Sequence, residues 1–181
     1  MKINTAHCTV TCFSHYKRYN NISRVLVVLR AMKILMVCLG NIRSPIAEGV
    51  LRHKAKENGL NWVIDSAGTE SLHVGEAPHR FSQKVCKAHG IDISHQRARK
   101  FTAADLDNYD IIYALAADVY SEIRRIAGPG ASLGNVEYFL NELHPGKNES
   151  VTDPWYGTEE GYLPVYEQIN ITCDEIIKKY K

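Results

Sequence analysis

The chain has 181 residues, 45% of them apolar and 23% charged, with a formal net charge of +2. That length suits one sizeable core in a single domain, and no apolar run approaches the roughly 20 residues of a membrane-spanning helix. Five of the 22 basic residues and none of the 20 acidic ones fall in residues 1–31, leaving 17 against 20 elsewhere; the bulk of the chain is mildly acidic and offers no nucleic-acid surface.

Residues 1–31 read as a basic extension foreign to the domain. They are expected to be disordered or the product of an upstream start, with Met32 the natural beginning. Val25–Leu29 is short, flanked by Arg24 and Arg30, and followed by no small-residue cleavage site, so a secretory signal is not expected. His7, Cys8, Cys12 and His15 fit no tight zinc spacing. The five cysteines, Cys8, Cys12, Cys38, Cys86 and Cys173, are odd in number and scattered, which does not suggest a disulfide framework.

The run from Met32 to Pro45 organises the rest. Lys33–Val37 is apolar past its first residue, as a buried parallel strand is. A cysteine, Cys38, stands at its exit. Then come Leu39, Gly40, Asn41, Ile42 and Arg43, with Ser44 as the expected N-cap and Pro45 as the expected first helical residue. A turn feeding a helix N-terminus favours an anion through its backbone N–H groups, and such a field turns a thiol into a nucleophile. The planar fork of Arg43 can grip two oxygens of a tetrahedral oxyanion. These parts suit displacement at phosphorus through a cysteinyl-phosphate.

Ile46, Ala47, Val50 and Leu51 fall on one face of the next helix, which should stop near Asn58-Gly59. Trp62–Ile64 is a second short strand, leading into Asp65-Ser66-Ala67-Gly68-Thr69. Residues 70–79 form a loop whose His73 and His79 are expected to be solvated. Arg80–His89 is a helix with Cys86 in the core and Gly90 behind it. Ala103–Asp107 is a short helix and Asp110–Leu115 a third strand. A helix then runs to Ala127 and stops at Gly128-Pro129-Gly130. Val136–Leu143 supplies the last strand and its exit. In Asp153-Pro154-Trp155-Tyr156-Gly157 an acid precedes proline on a stiff turn. From Glu159, Val165, Ile169, Cys173, Ile176 and Tyr180 recur at helical spacing.

Val37-Cys38-Leu39-Gly40-Asn41-Ile42-Arg43-Ser44-Pro45 resembles the phosphate loop of low-molecular-weight protein tyrosine phosphatases. Asp65-Ser66-Ala67-Gly68-Thr69, Arg97-Ala98-Arg99 and Asp153-Pro154-Trp155-Tyr156-Gly157 match further motifs in family order, from Met32 to the C-terminus. The resemblance implies a doubly wound α/β fold of flavodoxin-like topology, with four parallel strands and helices on both faces. It implies hydrolysis of phosphotyrosine by Cys38 as nucleophile, Arg43 as oxyanion binder and Asp153 as general acid and base. Leu39, Gly40, Asn41, Ile42 and Ser44 would bind the phosphate, Ser66 and Gln96 would support the loop, and Trp155 and Tyr156 would line the substrate pocket. No metal or cofactor is called for. The implied partners are phosphotyrosyl proteins or small aryl phosphates, with phosphate or sulfate able to occupy the loop, and neither nucleic acid nor membrane. A nucleophilic Cys38 needs a reducing compartment, hence the cytoplasm.

The chain departs from the family in three places. Four residues rather than five separate Cys38 from Arg43. Gln96 stands where histidine is common, with His95 one step earlier. Leu115-Ala116 replaces a Met-Asp pair whose aspartate helps to hold the framework near the loop, and Asp118 is not taken as its substitute. A missing residue at the helical end turns the residues downstream of it by roughly 100°. Three readings stay open: an impaired, anion-binding member of the family; a helix start that unwinds by one residue and restores the grip; or a residue present in the molecule and missing from the written sequence. Phosphoarginine phosphatases of the family tend to carry threonine near the position of Ile42. Arsenate reductases share the fold but need a cysteine relay, and Cys86 has no close partner for one.

Overall fold

The computed structural model describes residues 30–181, so the expectations for residues 1–29 lie outside the described residues. Strand β1 (Lys33–Cys38) is apolar because it is covered on both faces. Its side chains alternate, Ile34, Met36 and Cys38 into one core layer and Leu35 and Val37 into the other. It pairs in parallel with β2 (Val63–Gly68) on one side and β3 (Ile111–Ala114) on the other, and β3 pairs with β4 (Val136–Tyr138), giving the order β2-β1-β3-β4. This is the expected four-stranded parallel sheet with helices on both faces.

The layer facing Ile34 and Met36 holds α1 (Arg43–Glu57), α2 (Arg80–Ala88) and α5 (Tyr162–Tyr180). Ile46, Ala47, Val50 and Leu51 of α1 are fully buried there, as are Cys86 and Cys173, both free thiols. The opposite layer is closed by Phe101, by α4 (Ala117–Ala127) and by the segment of the short helix α3 (Asp105–Asn108). Among the described residues no helix is long and apolar enough to cross a membrane.

Beyond shifts of one or two residues at α2, α3 and β3, three boundaries differ from expectation. β2 runs through Gly68, past the expected end at Ile64; Gly68 pairs with the segment Arg99–Phe101, donating to the Arg99 carbonyl (2.9 Å) and accepting from Phe101 N–H (2.8 Å). The helix at the C-terminus starts at Tyr162, after a 3-10 turn at Glu159–Gly161. α1 starts at Arg43, with Ile42 in the cap position and no side-chain cap, so Ser44 is not the N-cap. The Ser44 hydroxyl is occupied elsewhere, 3.1 Å from Cys38 Sγ and donating to the Ala67 carbonyl at 3.3 Å.

Candidate active site

The loop between β1 and α1 leaves the carboxyl end of the central strand, where ligands bind in open α/β sheets. Its carbonyls are drawn outward by neighbours. Thr69 N–H donates to the Cys38 carbonyl (3.0 Å), Glu70 N–H to Leu39 (2.9 Å), His79 N–H to Asn41 (3.1 Å), and the Ser82 hydroxyl to Ile42 (3.2 Å). In a trans peptide the next N–H points the opposite way. The amides of Leu39, Gly40, Ile42 and Arg43 are therefore directed away from β2 and α2. The Gly40 carbonyl breaks the pattern and lies 3.4 Å from Cys38 Sγ, so Asn41 N–H points away from the sulfur. Gly68 has to be glycine for this packing: a Cβ there would sit 2.8 Å from the Leu39 oxygen and 2.9 Å from the Gly40 oxygen.

Arg43 is buried, its side chain 4% exposed. Nη1 donates to the Val151 carbonyl at 2.9 Å and Nη2 pairs with Asp153 Oδ2 at 2.8 Å. The segment carrying Asp153 is drawn over the end of β3, where Val151 N–H donates to the Leu115 carbonyl (2.8 Å). The expected framework aspartate is absent at Ala116, and Asp153 is the carboxylate that meets the arginine. Asp153 also accepts from Trp155 N–H at 3.0 Å, which fixes the turn through Pro154.

Cys38, Leu39, Gly40, Asn41, Ile42, Arg43, Asp153, Trp155 and Tyr156 line one cavity of about 460 Å³, completed by Glu70, Leu72, His73 and Asp118. Along the sequence the last four read only as loop or helix residues. His73 is half-buried: its Cδ2 would be 3.2 Å from a Gly40 Cβ and its ring lies 5.7 Å from that of Trp155. His79 is also half-buried; its Nδ1 accepts from Phe81 N–H to cap α2 and its ring stacks on Tyr162 at 5.5 Å, and burial pushes its pKa down. No local pattern marks Ser82 or His79 as loop supports, because the contacts are set by how α2 crosses the loop.

The two expected loop supports lie elsewhere. Ser66 donates to Glu48 Oε2 on α1 at 2.6 Å rather than to the loop. Glu48 is 3% exposed and also meets Arg52 at 2.8 Å; burial raises its pKa. Gln96 does not bond to Asn41. The Asn41 amide donates to the Ala77 carbonyl (3.2 Å), and the buried Oδ1 of Asn41 and Oε1 of Gln96 have no partner. Arg99 of the third motif is a clamp on β2: it meets Asp65 at 2.9 Å and Asp105 at 3.1 Å, and donates to the Tyr109 hydroxyl at 3.1 Å. Among the described residues no group of three or more His, Cys, Asp or Glu is placed to hold a metal ion.

A family model described as "Low molecular weight phosphotyrosine protein phosphatase" matches residues 33–181. The chain belongs to that family. The low molecular weight phosphotyrosine protein phosphatase of Schizosaccharomyces pombe is 38% identical over 142 residues, 76% of this chain and 90% of that protein. The crystal structure of YfkJ from Bacillus subtilis superposes with a TM-score of 0.76 at 30% identity, covering 83% of this chain and 94% of that one. The crystal structure of a Drosophila arginine phosphatase superposes equally well, at 28% identity, with coverage of 83% and 98%. Phosphatases of the low-molecular-weight family thus supply the frame for the site: the cysteine and arginine of the first motif and the aspartate of the last meet in one cavity.

Proposed function

We propose that the chain is a protein-tyrosine phosphatase acting through a cysteinyl-phosphate. The observation that carries this is the convergence of Cys38, Arg43 and Asp153 on a single cavity. Cys38 sulfur attacks phosphorus, the S–P bond forms as the P–O bond to the aryl group breaks, and Asp153 gives its proton to the leaving phenolate. Water then attacks phosphorus, Asp153 takes a proton from it, and the S–P bond breaks to release phosphate. The acid role requires protonated Asp153, and protonation discharges its ion pair with Arg43. The arginine is thereby released to the phosphoryl oxygens as the acid is armed. Asn41 N–H joins the other amides when the Gly40–Asn41 peptide turns, which removes the Gly40 carbonyl from the sulfur. Ser44 has one hydroxyl hydrogen; it donates to Ala67 in the resting site and to Cys38 when the sulfur is a thiolate.

The substrate is read as phosphotyrosine because exposed apolar side chains, Leu72 (80%), Trp155 (48%) and Tyr156 (98%), rim the cavity and suit an aryl ring. Ile42 stands where threonine accompanies phosphoarginine. The cytoplasm supplies the reduced thiol. The test is hydrolysis of p-nitrophenyl phosphate by the purified protein: a steady rate that disappears in Cys38→Ser supports the proposal, and a rate unchanged in that variant refutes it.

One observation favours a second reading. The Gly40 carbonyl faces the sulfur, and both terminal nitrogens of Arg43 are engaged, by Val151 and Asp153. If a loop of four residues cannot make the turn, the protein binds an oxyanion without turning it over. A zero rate that is restored on inserting cysteine between Ile42 and Arg43 identifies this state. An intact mass about 103 Da above the written chain would show that the molecule already carries that residue.

A further inference from the structure

Arg43 is the one lysine or arginine lining the cavity among the described residues, and Asp153 balances it at 2.8 Å. His73 faces Glu76 at 2.9 Å. Two cavity carboxylates are left. Among the described residues Glu70 makes no side-chain hydrogen bond or ion pair, and Asp118 only accepts from the N–H of its neighbour Val119 at 2.8 Å. Both are exposed. They stand on opposite sides of the loop, since Glu70 follows β2, Asp118 follows β3, and β1 lies between those strands. Both are anchored by backbone: Glu70 N–H donates to Leu39 in the loop at 2.9 Å, and Ala117 N–H, at the start of α4, donates to Ser150 Oγ at 3.0 Å. The nearby cation of Lys100 is outside the lining and donates to Ser71 at 3.4 Å.

Among the described residues lining this mouth, a doubly charged phosphoryl group therefore meets two unpaired carboxylates and no unpaired lysine or arginine. Arg43 and the loop amides reward the phosphoryl group only once it is seated. What offsets the repulsion on the way in is positive charge beside the phosphate. We infer that Glu70 and Asp118 make the site selective for phosphotyrosyl peptides with lysine or arginine adjacent to the phosphotyrosine. This rests on the phosphatase reading above and adds the peptide class to it. The two carboxylates are specificity residues: they touch the flanks of the substrate and take no part in the chemistry.

The test compares two phosphotyrosyl peptides, one with lysine on each side of the phosphotyrosine and one with glutamate. Two exposed pairs, screened by salt, predict a kcat/KM ratio of about ten in favour of lysine at low ionic strength, shrinking toward one as salt is added. Combining Glu70→Gln with Asp118→Asn should bring the ratio within about two-fold and lower the KM for p-nitrophenyl phosphate, because the same carboxylates repel a substrate that has no flanking cation. Equal rates on the two peptides in the natural protein, or a preference that survives the double substitution, overturn the inference and leave the phosphatase reading standing. The same peptides bound to Cys38→Ser protein, followed by fluorescence anisotropy, separate the two claims. Tighter binding of the lysine peptide with no turnover in the natural protein upholds the selectivity and refutes the phosphatase. Indifferent binding refutes the selectivity whether or not turnover is seen.

Discussion

In the proposed reaction Arg43 serves two partners that are set against each other. In the structure its fork holds the Val151 carbonyl and the Asp153 carboxylate; the proposed reaction requires it to hold phosphoryl oxygens. In that proposal Asp153 makes the exchange, since protonating it weakens the pair and creates the acid in one event. Replacing it separates chemistry from binding. Asp153→Asn should lower kcat on the order of 100-fold for phenyl phosphate, whose leaving group needs a proton, and far less for p-nitrophenyl phosphate. Equal losses on both esters would mean that Asp153 acts by holding Arg43 and not by proton transfer. At this scale the meeting of Cys38, Arg43 and Asp153 was legible as residue types: a thiol, a guanidinium fork and a carboxylate on a proline turn. The geometry around them was not. Nothing in the sequence says that Gly40 turns its carbonyl to the sulfur, or that Ser66 spends its hydroxyl on Glu48.

The elements around the loop act through backbone contacts. The exit of β2 presses on the loop at Gly68, where an added Cβ meets the Leu39 and Gly40 oxygens at 2.8 and 2.9 Å. Gly68→Ala should cost about 1–3 kcal/mol by overpacking and slow catalysis by shifting the loop; unchanged denaturant stability would show that the loop yields freely. Helix α1 is tied to β2 through Glu48, which meets Ser66 and Arg52. Burial raises its pKa above the ordinary 4.5, so the folded state binds this proton more tightly than the unfolded chain. The contribution is fully present below pH 4.5 and is lost as pH rises through the folded pKa. Stability of the natural protein relative to Glu48→Gln should therefore fall across that window in chemical denaturation; a pH-independent difference would remove Glu48 as the cause. Element boundaries were readable where punctuation is local, as at Gly59 with its positive φ (68°) behind α1. They were misread at Ser44 and Asp65–Gly68, where tertiary partners override local preference: a thiol takes the capping hydroxyl, and the Arg99–Phe101 segment extends the strand.

For the whole molecule, the alternation of apolar strand and amphipathic helix prescribed a parallel sheet, and the order β2-β1-β3-β4 follows the family whose motifs the chain carries. That order puts the β1 loop between the exits of β2 and β3, which gather Glu70 and Asp118 onto one mouth although 48 positions separate them in the sequence. Such a pairing is invisible along the chain, because it depends on which strands flank the centre. The sheet also fixes how far the four-residue loop can open, for β1 is hydrogen-bonded on both sides up to Val37 and α1 is buried from its first residue. Any adjustment for catalysis falls on Leu39 to Ile42.

The measurement that bears most directly on this account is rapid acid quenching of the natural protein with an aryl phosphate, followed by peptide mass analysis. The account predicts a transient addition of about 80 Da on the peptide containing Cys38, formed before phosphate is released and absent in Cys38→Ser. Phosphate release with no modified Cys38 peptide at any time, or modification of a different residue, would contradict it.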